Sequence, residues 1–129
     1  MRTVILCLFL FLVGCAQTLP EIRASNPDTV ITSARSPKSM ANCLNHEVQS
    51  ESWGRINLTE DGENYHLLIS SISGSGFTGG TKTFPVAEVL IKPDGNGGSI
   101  AEKRTWNLIN KTASETLSES IQKCAQNIP

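Results

Sequence analysis

Between Thr3 and Gly14 the chain runs through twelve residues with almost no polar side chain: Val4, Ile5, Leu6, Cys7, Leu8, Phe9, Leu10, Phe11, Leu12 and Val13 follow one another. A helix that spans a bilayer needs about 20 such residues at about 1.5 Å each. The run is too short to span, and Met1-Arg2 supplies a minimal positive start. This is the pattern of an export signal rather than of a transmembrane anchor. It also removes the longest apolar stretch from the fold. The remainder of the chain, Cys15 to Pro129, has 115 residues. That length suits one domain, whose core must come from scattered apolar positions.

The signal ends in Leu12-Val13-Gly14-Cys15, which resembles the lipobox of bacterial lipoproteins. The resemblance implies a signal peptide over 1–14, cut before Cys15, with Cys15 lipidated on sulfur and acylated at its new N-terminus. Lipid chains anchor at about 0.8 kcal/mol per buried CH₂, and two or more hold stably where one does not. The alternative is an ordinary secretory signal cut near Ala16, which would release a soluble protein. Cys7 lies too early and precedes bulky residues, so it reads as a hydrophobe of the signal. Ala16 stands where an Asp would favour retention in the inner membrane. By resemblance to that sorting rule the expected location is the outer membrane, facing the periplasm, with inner-membrane anchoring as the alternative.

The full chain has 11 basic and 12 acidic residues. Loss of Arg2 leaves a net charge near −2, which gives no electrostatic reason to expect nucleic acid or anionic head groups. Aromatic residues outside the signal are few: Trp53, Trp106, Tyr65, Phe77 and Phe84. They form no stacking series for single strands or sugars. If Cys7 is discarded and Cys15 lipidated, as the lipobox implies, Cys43 and Cys124 remain. In an oxidising compartment they most simply pair. Closing a loop of about 80 residues stabilises by roughly 4–5 kcal/mol in the chain-entropy model.

Residues 15–35 hold Pro20, Pro27 and many polar side chains with no helical period. They read as the lipidated N-terminus and a flexible tether. Thr29-Val30-Ile31-Thr32 would suit an edge strand or a docking segment, but reads as coil with its surroundings. The single domain is expected over 36–129. Ser36-Pro37 pairs an N-cap with a proline at the first helical position. Met40, Cys43, Leu44 and Val48 follow at helical spacing, so a helix is expected from Pro37 to Ser50. Alternating apolar residues around Glu60-Asp61-Gly62-Glu63 predict a hairpin over 52–58 and 64–72. Ser73 to Lys82 reads as a Gly/Ser/Thr loop. A third strand is expected from Phe84 to Lys92, with Pro85 marking an edge. Pro93-Asp94-Gly95-Asn96-Gly97-Gly98 is a dense turn signal, and Ser99 to Asn107 a fourth strand. A last helix starts at Asn110 or Thr112, with capping-box spacing from Thr112 to Glu115. Its stripe is Ala113, Leu117, Ile121 and Cys124. Both spare cysteines thus lie on apolar stripes. The expected fold is α+β: a four-stranded antiparallel sheet with N- and C-terminal helices on one face, order α-β-β-β-β-α, joined by a Cys43–Cys124 disulfide.

Motifs for chemistry fail on context. Gly74-Ser75-Gly76-Phe77-Thr78-Gly79 matches G-x-G-x-x-G, but a strand-like Thr83-Phe84-Pro85-Val86 follows where a dinucleotide fingerprint opens a helix. Lys82 stands one residue out of phosphate-loop spacing. Asp94-Gly95-Asn96 begins like a calcium loop, yet Thr105 occupies the twelfth position. His46 and His66 sit on different elements, so no metal site and no cofactor is expected. No G-x-S-x-G elbow occurs. Trp53 and Trp106 are expected in or beside the core.

Ser36-Pro37, Cys43-Leu44, Trp53, Gly98-Ser99 and Cys124 together resemble small proteobacterial lipoproteins over about 37–125. That resemblance implies an outer-membrane-linked α+β domain and no activity. The expected function is non-enzymatic: binding or steadying an unidentified envelope protein, with the membrane held through Cys15. The alternative is an inhibitor or exclusion factor against lysozyme or phage. Lysozyme-inhibitor lipoproteins carry a Ser-Gly-rich loop loosely like Ser71-Ile72-Ser73-Gly74, but they are β-barrels. In either case the 73–82 loop is the expected contact, with Phe77 as its apolar anchor and Lys82 as a rim charge. An enzyme, such as a hydrolase, is the third class. The lipobox makes a direct prediction. Intact-mass analysis of protein extracted from membranes should show Cys15 as the N-terminus, carrying lipid, and Cys15→Ser should leave the protein soluble. An unmodified N-terminus beyond Ala16 would contradict both.

Overall fold

The computed structural model describes residues 19–51, 53–74, 80–106 and 109–126. In chain order the elements are α1 (Leu19–Arg23), β1 (Thr29–Ser33), α2 (Pro37–Gln49), β2 (Arg55–Asp61), β3 (Asn64–Gly74), β4 (Thr81–Pro93), β5 (Ser99–Thr105) and α3 (Lys111–Gln126). The five strands form one antiparallel sheet in the order β1-β5-β4-β3-β2. The α+β class, the helices at both ends and the antiparallel sheet agree with the sequence. The strand number does not. Thr29–Ser33, expected as coil, pairs with β5 from Thr29↔Lys103 to Ser33↔Ser99. Asp28 fixes the start of this strand, since its Oδ2 accepts from both the Thr105 backbone N–H and its hydroxyl. Four β-branched residues, Thr29 to Thr32, and a long-range partner outweigh the polar surroundings.

Both long helices begin where side-chain oxygens satisfy backbone donors left over in the first turn. Ser36 Oγ accepts from Ser39 N–H at 3.3 Å, with Pro37 next to it. In α3 the cap is Asn110, whose Oδ1 accepts from Ala113 N–H at 2.7 Å. The expected β2–β3 hairpin turns on Gly62, at φ 63°, in a two-residue connection that favours glycine at its first position. The β4–β5 turn is closed by Asp94. Its Oδ1 accepts from Asn96 N–H at 2.7 Å and Gly98 N–H at 3.0 Å. Gly95 and Gly97 take positive φ around it. This is a side-chain-closed turn rather than a cation loop.

Strand residues alternate between two faces. Leu67, Ile69, Ala87, Val89, Ile91 and Ala101 face the helices and are fully or almost fully buried. Met40, Leu44 and Val48 of α2 and Leu117 and Ile121 of α3 close over them. Each such side chain removed from water contributes about 1.5–3 kcal/mol. α2 packs across β2 to β5, and α3 packs beside it on β1 and β5. Where the two helices meet, Cys43 and Cys124 are disulfide-bonded, with Cα atoms 5.8 Å apart across 81 residues of sequence. Lys123 Nζ adds an ion pair to Glu47 at 2.7 Å. Removing a native disulfide from a small domain costs about 2–5 kcal/mol. The Cys43→Ser/Cys124→Ser double variant should therefore unfold at a much lower denaturant midpoint. An unchanged midpoint would show that the helices hold without the bond.

Candidate functional site

The two central strands outrun their neighbours. β3 and β4 pair from Tyr65↔Ile91 to Gly74↔Thr81. β2 leaves β3 at Ser70, and β5 leaves β4 at Ala87. Beyond those points Ser71–Gly74 and Thr81–Phe84 pair with each other alone. They form a two-stranded arm that extends past the sheet. A bulge sets its direction: Ile69 pairs with Ala87 but Ser70 with Pro85, so Val86 is the extra residue. Its carbonyl accepts from Trp106 N–H at 2.9 Å. Trp106 itself is only 4% exposed. Pro85 sits beyond the last β5 pairing, where its missing N–H leaves no ladder bond unmade.

On the arm, Phe84 turns to the helical side and packs against the core. Ile72, opposite Thr83, lies on the other face and is 51% exposed. The loop expected over Ser73–Lys82 is therefore shorter. Ser73 and Gly74 belong to β3, Thr81 and Lys82 to β4, and Lys82 is the ladder partner of Ser73. Phe77 and Cys15 lie outside the described residues. Ile72 follows Ile69 by three residues on the same strand, so alternation along β3 puts it on the face opposite the buried Ile69.

The face of the sheet away from α2 and α3 carries charge. Glu88, in mid-β4, is 3% exposed. It receives a bidentate guanidinium from Arg23 of α1, with the shortest bond at 2.6 Å, and lies 3.3 Å from His66 Nδ1. The Glu88 bond raises the Arg23 pKa above its ordinary value. Arg104 Nε also donates to the Ser25 carbonyl at 3.0 Å. Residues 19–28, expected within the flexible tether, are thus fastened across this face, and Ile22 is buried beneath them. Beside them Glu102 accepts from Lys92 and Arg104. The Lys92 bond is the largest cause that holds its carboxyl below the usual range; burial opposes it, and Arg104 adds to the lowering.

One cation lies on the helical side. Lys103 is 3% exposed and places its Nζ against α3, donating to Ser114 O at 3.0 Å, Ser114 Oγ at 2.8 Å and Ser118 Oγ at 2.7 Å. Burial lowers its pKa, while Asp28 and Glu115 oppose the shift. All three ammonium donors are satisfied, which offsets much of the cost of burying the charge. On β5 Lys103 shares the inward face with Ala101 two residues before it, and nothing local in the sequence marks Ser114 and Ser118 as its partners. His46 on α2 and His66 on β3 lie on opposite sides of the sheet. Among the described residues no three His, Cys, Asp or Glu side chains converge as a metal site. An open cleft of about 600 Å³ lies at one end of the sheet, where Lys38, Glu60, Glu63 and Tyr65 line it. The Tyr65 hydroxyl there donates to Glu60 at 3.2 Å.

Against known proteins, the chain matches no family model, no curated protein and no solved structure.

The Glu102 pair carries a pH dependence with a definite sign. A carboxyl held below its unfolded value stabilises the fold above that value and loses the contribution as pH falls through the folded one. Glu102→Gln should lower the melting temperature at pH 7. The gap to the parent protein should close as pH falls below the ordinary glutamate value of about 4.3. A constant gap in calorimetry from pH 7 to pH 3 would rule the pairing out as its source.

Proposed function

We propose that this chain is a lipid-anchored, non-enzymatic lipoprotein of the bacterial outer membrane. In this reading Cys15 holds it on the periplasmic face, and the β3–β4 arm binds or steadies another envelope protein. The observation that carries the reading is the arm itself, whose strands leave the sheet, pair with each other alone and present Ile72 half exposed. The lipobox supplies the anchor, and with residues 19–28 fastened to the sheet only the four residues Cys15 to Thr18 separate the lipid from the described fold. The non-enzymatic part is favoured by how the polar groups are used. Glu88 and Arg23 satisfy one another, and Lys103 is held by two serines and a carbonyl. The near-neutral charge argues against nucleic acid as the partner.

The projecting arm also favours a second reading, an inhibitor that inserts the arm into the cleft of an enzyme such as lysozyme or into a phage component. The two readings part in one experiment. Ile72 is half exposed, and surface changes of this kind shift stability by about 0.5 kcal/mol or less; Ile72→Asp and Phe77→Asp are tested separately and together. Under the first reading they abolish in vivo photocrosslinking from the arm to its envelope partner and leave lysozyme activity untouched. Under the second, the parent protein inhibits lysozyme or blocks phage and the variants do not. Crosslinking that persists in the double variant would remove the arm from the contact. A collapse in melting temperature would make the arm structural.

A further inference from the structure

The sheet has a free margin at β2. Among the described residues nothing pairs with its outer side. The two-residue turn at Gly62-Glu63 closes on the Asp61↔Asn64 pair, and such turns close on a hydrogen-bonded pair. Bonded pairs alternate along an antiparallel ladder, so Asp61, Thr59, Asn57 and Arg55 direct their backbone groups to β3. Ile56, Leu58 and Glu60 direct theirs outward.

The β2 strand is complementary to a second copy of itself. In the antiparallel register centred on Leu58, all seven residues pair. Leu58 meets Leu58, Ile56 meets Glu60, Asn57 meets Thr59, and Arg55 meets Asp61. The residues with outward backbone groups fall opposite one another, which closes about six ladder bonds. Arg55 and Asp61 are both exposed and share the sheet face away from α2 and α3. Two opposite-charge pairs therefore form, one at each end, and no like charges oppose. Opposite charges directly across a ladder stabilise it, and like charges do the reverse. Sliding the register until Glu60 meets Glu60 brings like charges together. β1, the other margin, has five residues and no charged side chain to set a register.

We propose that two copies of this chain join through β2 into one ten-stranded antiparallel sheet. The two-fold axis of such a pair stands perpendicular to the sheet. Both α1 segments, and with them both Leu19 residues, then lie on the same face of the joined sheet. That arrangement lets two lipid anchors enter one bilayer; this last point alone rests on the lipoprotein reading.

Asn57 and Thr59 of the two copies lie opposite as a non-bonded pair, with Cα atoms about 4.5 Å apart, within disulfide reach. Two differently tagged full-length chains, one Asn57→Cys and one Thr59→Cys, are co-expressed and oxidised mildly, both in membranes and after transfer to detergent. The mixture should give a covalent dimer carrying both tags, and neither variant alone should do so. Adding Arg55→Asp to both chains should cut the yield several-fold, and Arg55→Asp with Asp61→Arg should restore it. Peptide mapping of Cys43–Cys124 and circular dichroism identify any variant that fails to fold, and the charge swap then serves as the folded comparison. No mixed dimer, equal crosslinking in single-variant samples, or a yield indifferent to Arg55→Asp would each overturn the proposal. Crosslinking in detergent without membrane association would uphold the pairing and remove the anchor reading instead.

Discussion

The line where α2 meets α3 holds the helical layer of this protein together. Neither helix covers the sheet alone. α2 closes over β2 to β5 and α3 over β5 and β1, and the Cys43–Cys124 bond joins them at their shared seam. Met40, Leu44, Val48, Leu117 and Ile121 are completely buried because the two helices lie side by side. A domain of this size buries a smaller share of its surface than a large one and stands on a small margin of free energy. Restricting the unfolded chain with one long-range bond is then a substantial part of what keeps the layer closed. The Glu47–Lys123 pair works at the same seam from the surface side, where exposed ion pairs contribute little.

The opposite face follows a different logic. It is covered by a short helix and a few polar contacts instead of a second helical layer. Glu88 fixes that arrangement. A carboxylate buried in mid-strand requires a cation, and Arg23 reaches it from 65 residues earlier in the chain. The pair fastens α1, Asp28 fastens the start of β1, and β1 completes the sheet. Removing one partner of such a pair leaves an uncompensated charge and is costly, even where the intact pair gains little over an apolar substitute.

The sequence made much of the helical face legible. The Ser36 cap, the Met40–Leu44–Val48 and Leu117–Ile121–Cys124 stripes, the Gly62 turn and the Asp94 turn are local patterns, and local patterns survive in a single sequence; of the two starts open for the last helix Asn110 is the cap, and Thr112, expected to open a capping box, lies inside the helix. The expected Cys43–Cys124 pair followed from the lipobox and agrees with the structure. What escaped was non-local. Thr29–Ser33 looks like coil until β5 is beside it. The Val86 bulge, which shifts the β3–β4 register at the base of the arm, leaves no mark in composition. Arg23 and Glu88 are ordinary as separate residues, and so are Lys103 and Ser118. Of the residues expected to contact a partner, Lys82 falls on a strand paired with Ser73, which shortens the loop to its tip.

The sheet order has a consequence for how the chain is made. β1 is synthesised before any other strand, yet its ladder partner is the last, with Thr29 opposite Lys103. α2 emerges early, yet its sulfur partner comes 81 residues later. While β2, β3 and β4 are being added, the Met40–Leu44–Val48 stripe lacks its companion helix and Cys43 remains a thiol. Contacts this distant in sequence are slow to close. The nascent chain thus passes through an interval in which a helix lacks its neighbour and Cys43 lacks Cys124, and the arrival of α3 ends both conditions at once.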